Sequence, residues 1–247
     1  MTRPTVIIDP TEDDALPAGT PFEDRLRAAG ARFTRRDGPA VAADFGSAST
    51  ELAVCRRAVG IVDVSHLGKL AVDAPASILA TFVGQGDDPL AVGAATHTIE
   101  GWWCRVSPRR LLVITPPSLT ARVRERLERS ARRHPASTVS DESRSLAALG
   151  LVGPRASRLC EHLSGDLPAP ESPMVAFVHT TLVATEATVV LRESPDRFIL
   201  LFDAGAAGPM WDAVLAAGEP LGASCVGASA LGMLDAAARS HREPVVG

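Results

Sequence analysis

The sequence lacks tyrosine and contains one lysine, Lys69, so that arginine supplies 24 of its 25 basic residues. Without tyrosine, no phenol is available for ligand binding or proton transfer. A lysine is ordinarily exposed, because burying an ammonium group is costly. Lys69 is therefore expected at the surface, where it could meet an anionic ligand.

Cysteine is sparse and scattered. The four cysteines, Cys55, Cys104, Cys160 and Cys225, form no C-x-x-C pair, which argues against both a zinc knuckle and a disulfide framework. Buried free thiols in a reducing cytosol are the expected state. No apolar run reaches membrane length, and the N-terminus lacks the charged-then-apolar order of a signal peptide. We therefore expect a cytoplasmic protein with no membrane partner.

Several functional motifs are missing as well. The net charge of −4 includes no long block of one sign, which argues against a nucleic-acid partner. The chain has no Gly-rich phosphate loop, no Gly-x-Ser-x-Gly elbow and no Cys/His or Ser/His/Asp grouping, so a side-chain nucleophile is disfavoured. His66 has no set of further ligands near it in sequence, and no metal site is predicted.

What the sequence does contain is one supersecondary unit used twice. An Asp-x-Ser step follows an apolar, strand-like run at residues 63–65 and recurs at 141–143, 78 positions later. The proline that opens the next helix recurs from Pro75 to Pro154, 79 positions later. Self-similarity of this kind indicates a repeated unit. The Asp and Ser of the step are expected to form a turn or a cap.

The elements of each unit follow the order βαββαβ. Arg105-Val-Ser-Pro matches Arg192-Glu-Ser-Pro at an offset of 87, which favours a shared structural role for the two arginines. We therefore predict an α+β fold of two pseudo-duplicated βαββαβ units, with antiparallel sheets backed by helices. The predicted boundaries are an extended or disordered arm at 1–21, a folded domain at 22–247, and repeat units at about 59–136 and 137–227 before a C-terminal helix.

Two adjacent tryptophans, Trp102 and Trp103, begin a predicted hairpin whose strands are residues 102–106 and 111–115. Side chains alternate across a strand, so one indole should pack in a core while the other faces the opposite side. The second indole could stack on a flat ring such as a pterin, or on a partner surface.

A known family shares this order of motifs. The segment Glu51-x-x-x-Cys-Arg-x-Ala-Val-Gly-Ile-Val-Asp-Val-Ser-His-Leu-Gly-Lys-Leu resembles the opening of the folate-binding domain of the glycine cleavage T-protein, an aminomethyltransferase. The hairpin at 101–115 and the Leu-Val-Gly-Pro step at 151–154 are similar to that domain in the same order, over about residues 44–238. The resemblance implies a tetrahydrofolate pocket between the repeats and transfer of a one-carbon unit from a carrier-bound aminomethyl group, with a pocket carboxylate assisting proton movement.

Carried over by position, the family's functional residues are only partly matched. Its paired aspartates fall on Ile99 and Glu100, which leaves Glu100 as the candidate catalytic carboxylate. Its asparagine falls near Thr115, and its pocket tyrosine falls near His97 or Thr96. The family's glutamate-bearing Thr-Gly-Glu loop, which follows the arginine of the second hairpin, is missing, and Glu193 or Asp196 could replace it only loosely. In the last helix, the positions of the family's Arg and Glu pattern hold Ser229, Met233 and Asp235, so the basic contact to the folate tail is lost. The candidate ligand-binding residues are His66, His97, Trp102, Thr115, Arg192 and Glu193.

Two functions follow from the resemblance. One is a tetrahydrofolate-binding protein of one-carbon metabolism, with aminomethyl or methyl transfer as its activity and a carrier protein as a partner. The other arises because the sequence, as given, ends before the family's C-terminal barrel and is similar to the small gamma subunit of heterotetrameric sarcosine oxidases. In that reading the chain is a non-catalytic partner of larger flavin-bearing chains.

Overall fold

A computed structural model describes residues 19–83, 90–164, 177–182 and 185–240. Most of the predicted arm, residues 1–18, lies outside this described part. Where the described chain begins, the Thr20 hydroxyl donates to Asp63 Oδ2 at 2.6 Å. Phe22 then packs against Trp211 with ring centroids 5.5 Å apart. These contacts join the start of the described chain to residues far from it in sequence.

Residues 19–141 contain eight strands and four helices among the described residues. In order these are α1 (Glu23–Ala28), β1 (Arg32–Arg35), β2 (Ala40–Asp44), α2 (Ala48–Arg57), β3 (Val59–Asp63), β4 (Gly68–Asp73), α3 (Ala76–Val83), β5 (Ala95–Thr98), β6 (Gly101–Ser107), β7 (Arg110–Thr115), α4 (Pro117–Ala131) and β8 (Thr138–Asp141). The rest of the described chain follows with β9 (Leu146–Val152), α5 (Ala156–Ser164), β10 (Phe177–Leu182), β11 (Thr185–Ser194), β12 (Arg197–Asp203), α6 (Ala207–Gly218), β13 (Ala223–Cys225) and α7 (Ala228–Ser240).

The strands form two large sheets and one small one. One large sheet has the order β10-β11-β12-β9-β3-β13, the other has the order β5-β6-β7-β4-β8, and β1 pairs with β2. All pairs are antiparallel except β13 with β3. The predicted α+β class with antiparallel sheets is confirmed, and each half has three strands between its helices, one more than βαββαβ.

The first strand of each half pairs within the sheet formed mainly by the other half. Strand β3, which precedes the first Asp-x-Ser step, pairs with β9 of the second half, with Ile61 opposite Leu151. Strand β8, which precedes the second step, pairs with β4 of the first half, with Val72 opposite Val139. The two sheets therefore do not coincide with the sequence repeats that were predicted at 59–136 and 137–227.

The two sheets pack face to face with helices on their outer sides, in four layers. Alternation along the strands separates the cores. On β7, Leu112 and Ile114 face the core between the sheets, whereas Leu111 and Val113 pack under α3 and α4. The outer core of the six-stranded sheet lies against α1, α5 and α6. Side chains on both faces of these strands are therefore buried, which accounts for their nearly continuous apolar runs.

The repeated Asp-x-Ser steps are turns that bind the two halves together. Ser65 N donates to Asp63 Oδ1 at 2.8 Å, and Ser143 N donates to Asp141 Oδ1 at 3.1 Å, so the predicted turns are confirmed. Each serine hydroxyl then accepts a backbone N–H from the other half. These bonds are Ala148 N to Ser65 Oγ at 3.0 Å and Lys69 N to Ser143 Oγ at 3.0 Å.

The expectation that Lys69 is exposed is wrong. Its side chain is fully buried between the two turns. Its Nζ donates to the carbonyls of Ser65 at 2.6 Å and Ser143 at 3.2 Å. Burial lowers the pKa of Lys69 to about 8. The lysine can be buried because two carbonyl groups, one from each Asp-x-Ser turn, accept hydrogen bonds from its ammonium group.

Candidate functional site

One cavity lined by described residues is a cleft of about 940 Å³ at one edge of the space between the sheets. The five-stranded sheet contributes His97 and Trp102 to its wall, and the β11–β12 hairpin contributes Glu193 and Arg197. Helix α7 closes another side through Leu234, Asp235 and Arg239. The cleft is therefore built from both halves of the chain.

A smaller and more enclosed cavity of about 260 Å³, the inner cavity, adjoins the cleft. The turn between β3 and β4 lines it with residues that include His66, and the start of α4 lines it with Pro116 and Pro117. Helix α7 contributes Leu231. The walls of the two cavities share four residues, namely Val152, Glu193, Arg197 and Asp235.

A chain of polar contacts runs through this shared wall. Trp102 Nε1 donates to Glu193 Oε1 at 2.6 Å. The other carboxylate oxygen, Oε2, lies 3.0 Å from Arg197 Nε, and Arg197 Nη1 donates to Asp235 Oδ1 at 2.6 Å. Burial opposes the charge of Arg197, but the bond to Asp235 and the negative charges of Glu193 and Asp235 outweigh it, so the pKa of Arg197 is raised. The network links the five-stranded sheet, the six-stranded sheet and α7.

Strand alternation explains how Glu193 reaches this position. Leu191 lies in the core between the sheets, and Glu193, two residues later, faces the same way into the cleft. Arg192 points to the opposite face, where its guanidinium lies 5.8 Å from the ring centroid of Phe198. The strand therefore places an acid in the cleft and its neighbouring base outside it.

Helix α7 is fixed at its N-terminal end by a buried carboxylate. Glu51 accepts hydrogen bonds from Phe45 N and Gly227 N, both at 2.7 Å. A side chain at Gly227 would place a Cβ 2.1 Å from Ala43 O, so the close approach of the start of α7 to β2 requires glycine. The helix that forms a wall of both cavities thus begins at a tightly held point.

The structure brings three of the sequence-predicted residues together in the cleft. His97 packs against Trp102 with ring centroids 4.7 Å apart, and Trp102 bonds Glu193. Trp103 turns the other way and is fully buried in the outer core with Val113. The predicted alternation of the two indoles is therefore confirmed.

The other predicted residues lie elsewhere. His66 lines the inner cavity, where burial lowers its pKa. Thr115, which precedes Pro116 of that cavity's lining, is buried, and its Oγ1 has no hydrogen-bond partner among the described residues. Glu100 forms a two-pronged ion pair with Arg126 of α4, with Oε1 3.0 Å from Nε. Within the described part of the chain, neither Glu100 nor Arg192 lines either cavity.

Sequence reasoning missed Arg197 as a site residue and noted Asp235 only as a departure from a family pattern. In sequence, Arg197 follows a Ser-Pro-Asp turn and has the character of a solvated hairpin residue. Asp235 lies 38 positions further on. Only the packing of α7 against the hairpin brings the two together.

Groups that would hold a metal or span a membrane do not appear among the described residues. No set of three histidine, cysteine or acidic side chains is clustered there in a way that could ligate a metal ion. None of the described helices combines the length and apolarity needed to cross a bilayer.

Comparisons with known proteins agree with this architecture. An aminomethyltransferase of Shouchella clausii (strain KSM-K16) is 28% identical over 221 residues, which are 82% of this chain and 59% of that protein. The glycine cleavage system aminomethyltransferase T from Bartonella henselae superposes with a TM-score of 0.70 at 19% identity, over 85% of this chain and 59% of that one. The chain thus spans less than two thirds of the length of these aminomethyltransferases.

A second solved structure matches over nearly its whole length. A chain of the heterotetrameric sarcosine oxidase from Corynebacterium sp. U-96 superposes with a TM-score of 0.59 at 20% identity, over 72% of this chain and 93% of that chain. At these identities both structures establish a shared fold. The family model described as the GCVT N-terminal domain matches residues 22–239, and the chain therefore belongs to the family of the GCVT N-terminal domain.

Proposed function

We propose that the chain binds a tetrahydrofolate-type molecule in the cleft and acts in one-carbon metabolism. One observation carries the proposal: Trp102, His97 and Glu193 converge on the cleft from both sheets, so that aromatic rings lie beside a carboxylate. A pterin has flat faces and N–H donors on one edge, which match aromatic rings and a carboxylate acceptor. The cleft volume of about 940 Å³ lies within the usual range of small-molecule sites, about 300–1,000 Å³.

Glu193 is the carboxylate best placed to act on such a ligand. Transfer of a carbon unit to an amine nitrogen requires that the nitrogen be held and correctly protonated beside the donor. Each oxygen of Glu193 bonds one protein donor and keeps a further lone pair for an N–H of the ligand. Glu100, the carboxylate favoured by sequence position, is occupied by Arg126. The proposed activity is aminomethyl or methyl transfer from a carrier-bound donor.

The test is a calorimetric titration of the purified chain with tetrahydrofolate under reducing conditions. A pterin that lacks the glutamate tail serves as the comparison ligand. Saturable binding, lost when Glu193 is changed to alanine, is the expected result. No heat of binding up to millimolar ligand, which corresponds to about −4 kcal/mol, would overturn the proposal.

A second candidate function is favoured by the extent of one match. The sarcosine oxidase chain is covered to 93%, whereas the aminomethyltransferases are each covered to 59%. In this reading the chain is a gamma-type, non-catalytic subunit that docks on a larger flavin-bearing chain. Purification from its host would then yield a stoichiometric complex that contains a flavoprotein, and a monomer that recovers no such chain would contradict it.

A further inference from the structure

The two cavities are neighbours that one wall separates. Their shared lining is Val152, Glu193, Arg197 and Asp235, and the polar part of this wall is an arginine held between two carboxylates. Arg197 and Glu193 belong to the same β11–β12 hairpin. The bond between Arg197 and Asp235 crosses from the hairpin to α7. Breaking that bond would open the wall without disturbing the hairpin.

Helix α7 is the element that would respond. It lines the inner cavity with Leu231 and the cleft with Leu234, and Asp235 lies at the boundary between them. Its first residues are held by Glu51 through Gly227. The Arg197–Asp235 pair ties the helix to the hairpin about two turns further on, where Leu231 and Leu234 also pack against the core between the sheets. Loss of the pair therefore loosens this contact and leaves the start of α7 anchored.

We propose that the Arg197–Asp235 ion pair is a gate that decides how far a ligand entering the cleft can reach. With the pair formed, a ligand is confined to the cleft. With the pair open, the ligand reaches the inner cavity and His66. Arg197 and Asp235 are thus residues that determine specificity for ligand length. The naming of folate as the ligand rests on the proposed function, whereas the gate itself does not.

The exposure of the pair makes such opening feasible. The side chains of Arg197 and Asp235 are 30% and 35% exposed, so water can solvate both groups when they part. An ion pair of this exposure contributes only about a fivefold preference for the closed state. A ligand that carries a carboxylate can take over Arg197, and one that carries an ammonium group can take over Asp235. The Arg197–Glu193 contact persists in either case and keeps the hairpin in place.

The experiment compares Asp235→Ala with a matched control, Asp212→Ala. Asp212 is also an aspartate on a helix that pairs with an arginine of another element, Arg25, at 3.1 Å, but it lies outside both cavity walls. Hydrogen exchange of the ligand-free full chain is followed in residues 228–240 and in α4. Asp235→Ala should accelerate exchange in 228–240 several-fold and leave α4 unchanged, whereas Asp212→Ala should leave both unchanged. Equal exchange in 228–240 for Asp235→Ala and the unmodified chain would overturn the gate.

Titration with tetrahydrofolate and with the tail-less pterin completes the test. Asp235→Ala removes the ion pair, so a ligand no longer spends binding free energy on breaking it. This variant should therefore bind tetrahydrofolate at least about threefold more tightly than the unmodified chain. Weaker or equal binding overturns the gate while the folate proposal stands. Faster exchange in 228–240 with no binding by any variant supports the gate and overturns the folate proposal. Arg197→Met, which removes the same bond from the hairpin side, is the second variant should Asp235→Ala fail to fold.

Discussion

Trp102 Nε1 lies 2.6 Å from Glu193 Oε1, and this bond connects the five-stranded sheet to the six-stranded sheet in the wall of the cleft. The two side chains come from corresponding hairpins of the two halves. A hydrogen bond to a charged group typically contributes about 1.5–3 kcal/mol. The contact is therefore expected to stabilise the association of the two halves, and it is also a part of the site.

A double-mutant cycle of Trp102→Phe and Glu193→Gln measures how much this hydrogen bond stabilises the chain. Each single change should lower the free energy of unfolding by about 1–3 kcal/mol, and the double change should cost clearly less than the sum. Urea unfolding followed by circular dichroism measures all four proteins. Additive losses would show that the indole and the carboxylate contribute independently of each other.

The two candidate carboxylates can be separated by the same substitution at two positions. Glu193→Gln should weaken tetrahydrofolate binding about tenfold or more, because a carboxylate acceptor in the cleft is lost. Glu100→Gln should leave the affinity within about twofold, because that side chain is paired with Arg126 outside both cavity walls. Calorimetry measures both variants beside the unmodified chain. The reverse order of effects would restore Glu100 as the functional carboxylate.

Lys69 makes stability depend on pH in an identifiable window. Burial lowers its pKa from the ordinary 10.5 to about 8, so between these values the unfolded chain holds a proton that the folded chain has released. Unfolding then takes up a proton, and the free energy of unfolding rises with pH across the window by about 3 kcal/mol from this group. Lys69→Met should lack this rise.

The informative quantity is the difference in the free energy of unfolding between the unmodified chain and Lys69→Met at each pH. The buried thiols act in the opposite direction, because their pKa values are raised in the folded chain, and their effect cancels in the difference. Urea unfolding of both proteins at several pH values gives that difference. An unchanged difference between about pH 8 and pH 10.5 would mean that Lys69 keeps its proton when buried.

The four cysteines should be unreactive while the chain is folded. Burial raises the pKa of Cys55 to about 11, of Cys160 to about 12 and of Cys225 to about 11, and it raises that of Cys104 as well. Since the thiolate is the reactive form, Ellman's reagent near neutral pH should label the native protein slowly and all four thiols in denaturant. Cys225, which is partly exposed, should react first. Rapid labelling of Cys55 would indicate that the cleft wall opens.

Local patterns in the sequence were sufficient to predict the turns and strands that make up each unit of the fold. The recurrence of Asp-x-Ser at residues 63–65 and 141–143 predicted two equivalent turns, and both form. The adjacent indoles of Trp102 and Trp103 predicted opposite faces of one strand, and they lie on opposite faces. These features depend on residues only a few positions apart, where backbone geometry and side-chain alternation act directly.

The tertiary structure alone decided how the units combine and where the site lies. The residues of β3 and β8 do not by themselves determine which sheet each strand joins, because the backbone groups of a strand can pair with any compatible edge. That exchange buried Lys69 between the two turns. The meeting of Arg197 with Asp235 and of Trp102 with Glu193 likewise joins residues 38 and 91 positions apart. Such pairings are set by the packing of whole elements, so the sequence determined the parts of this protein and the tertiary structure determined its cleft.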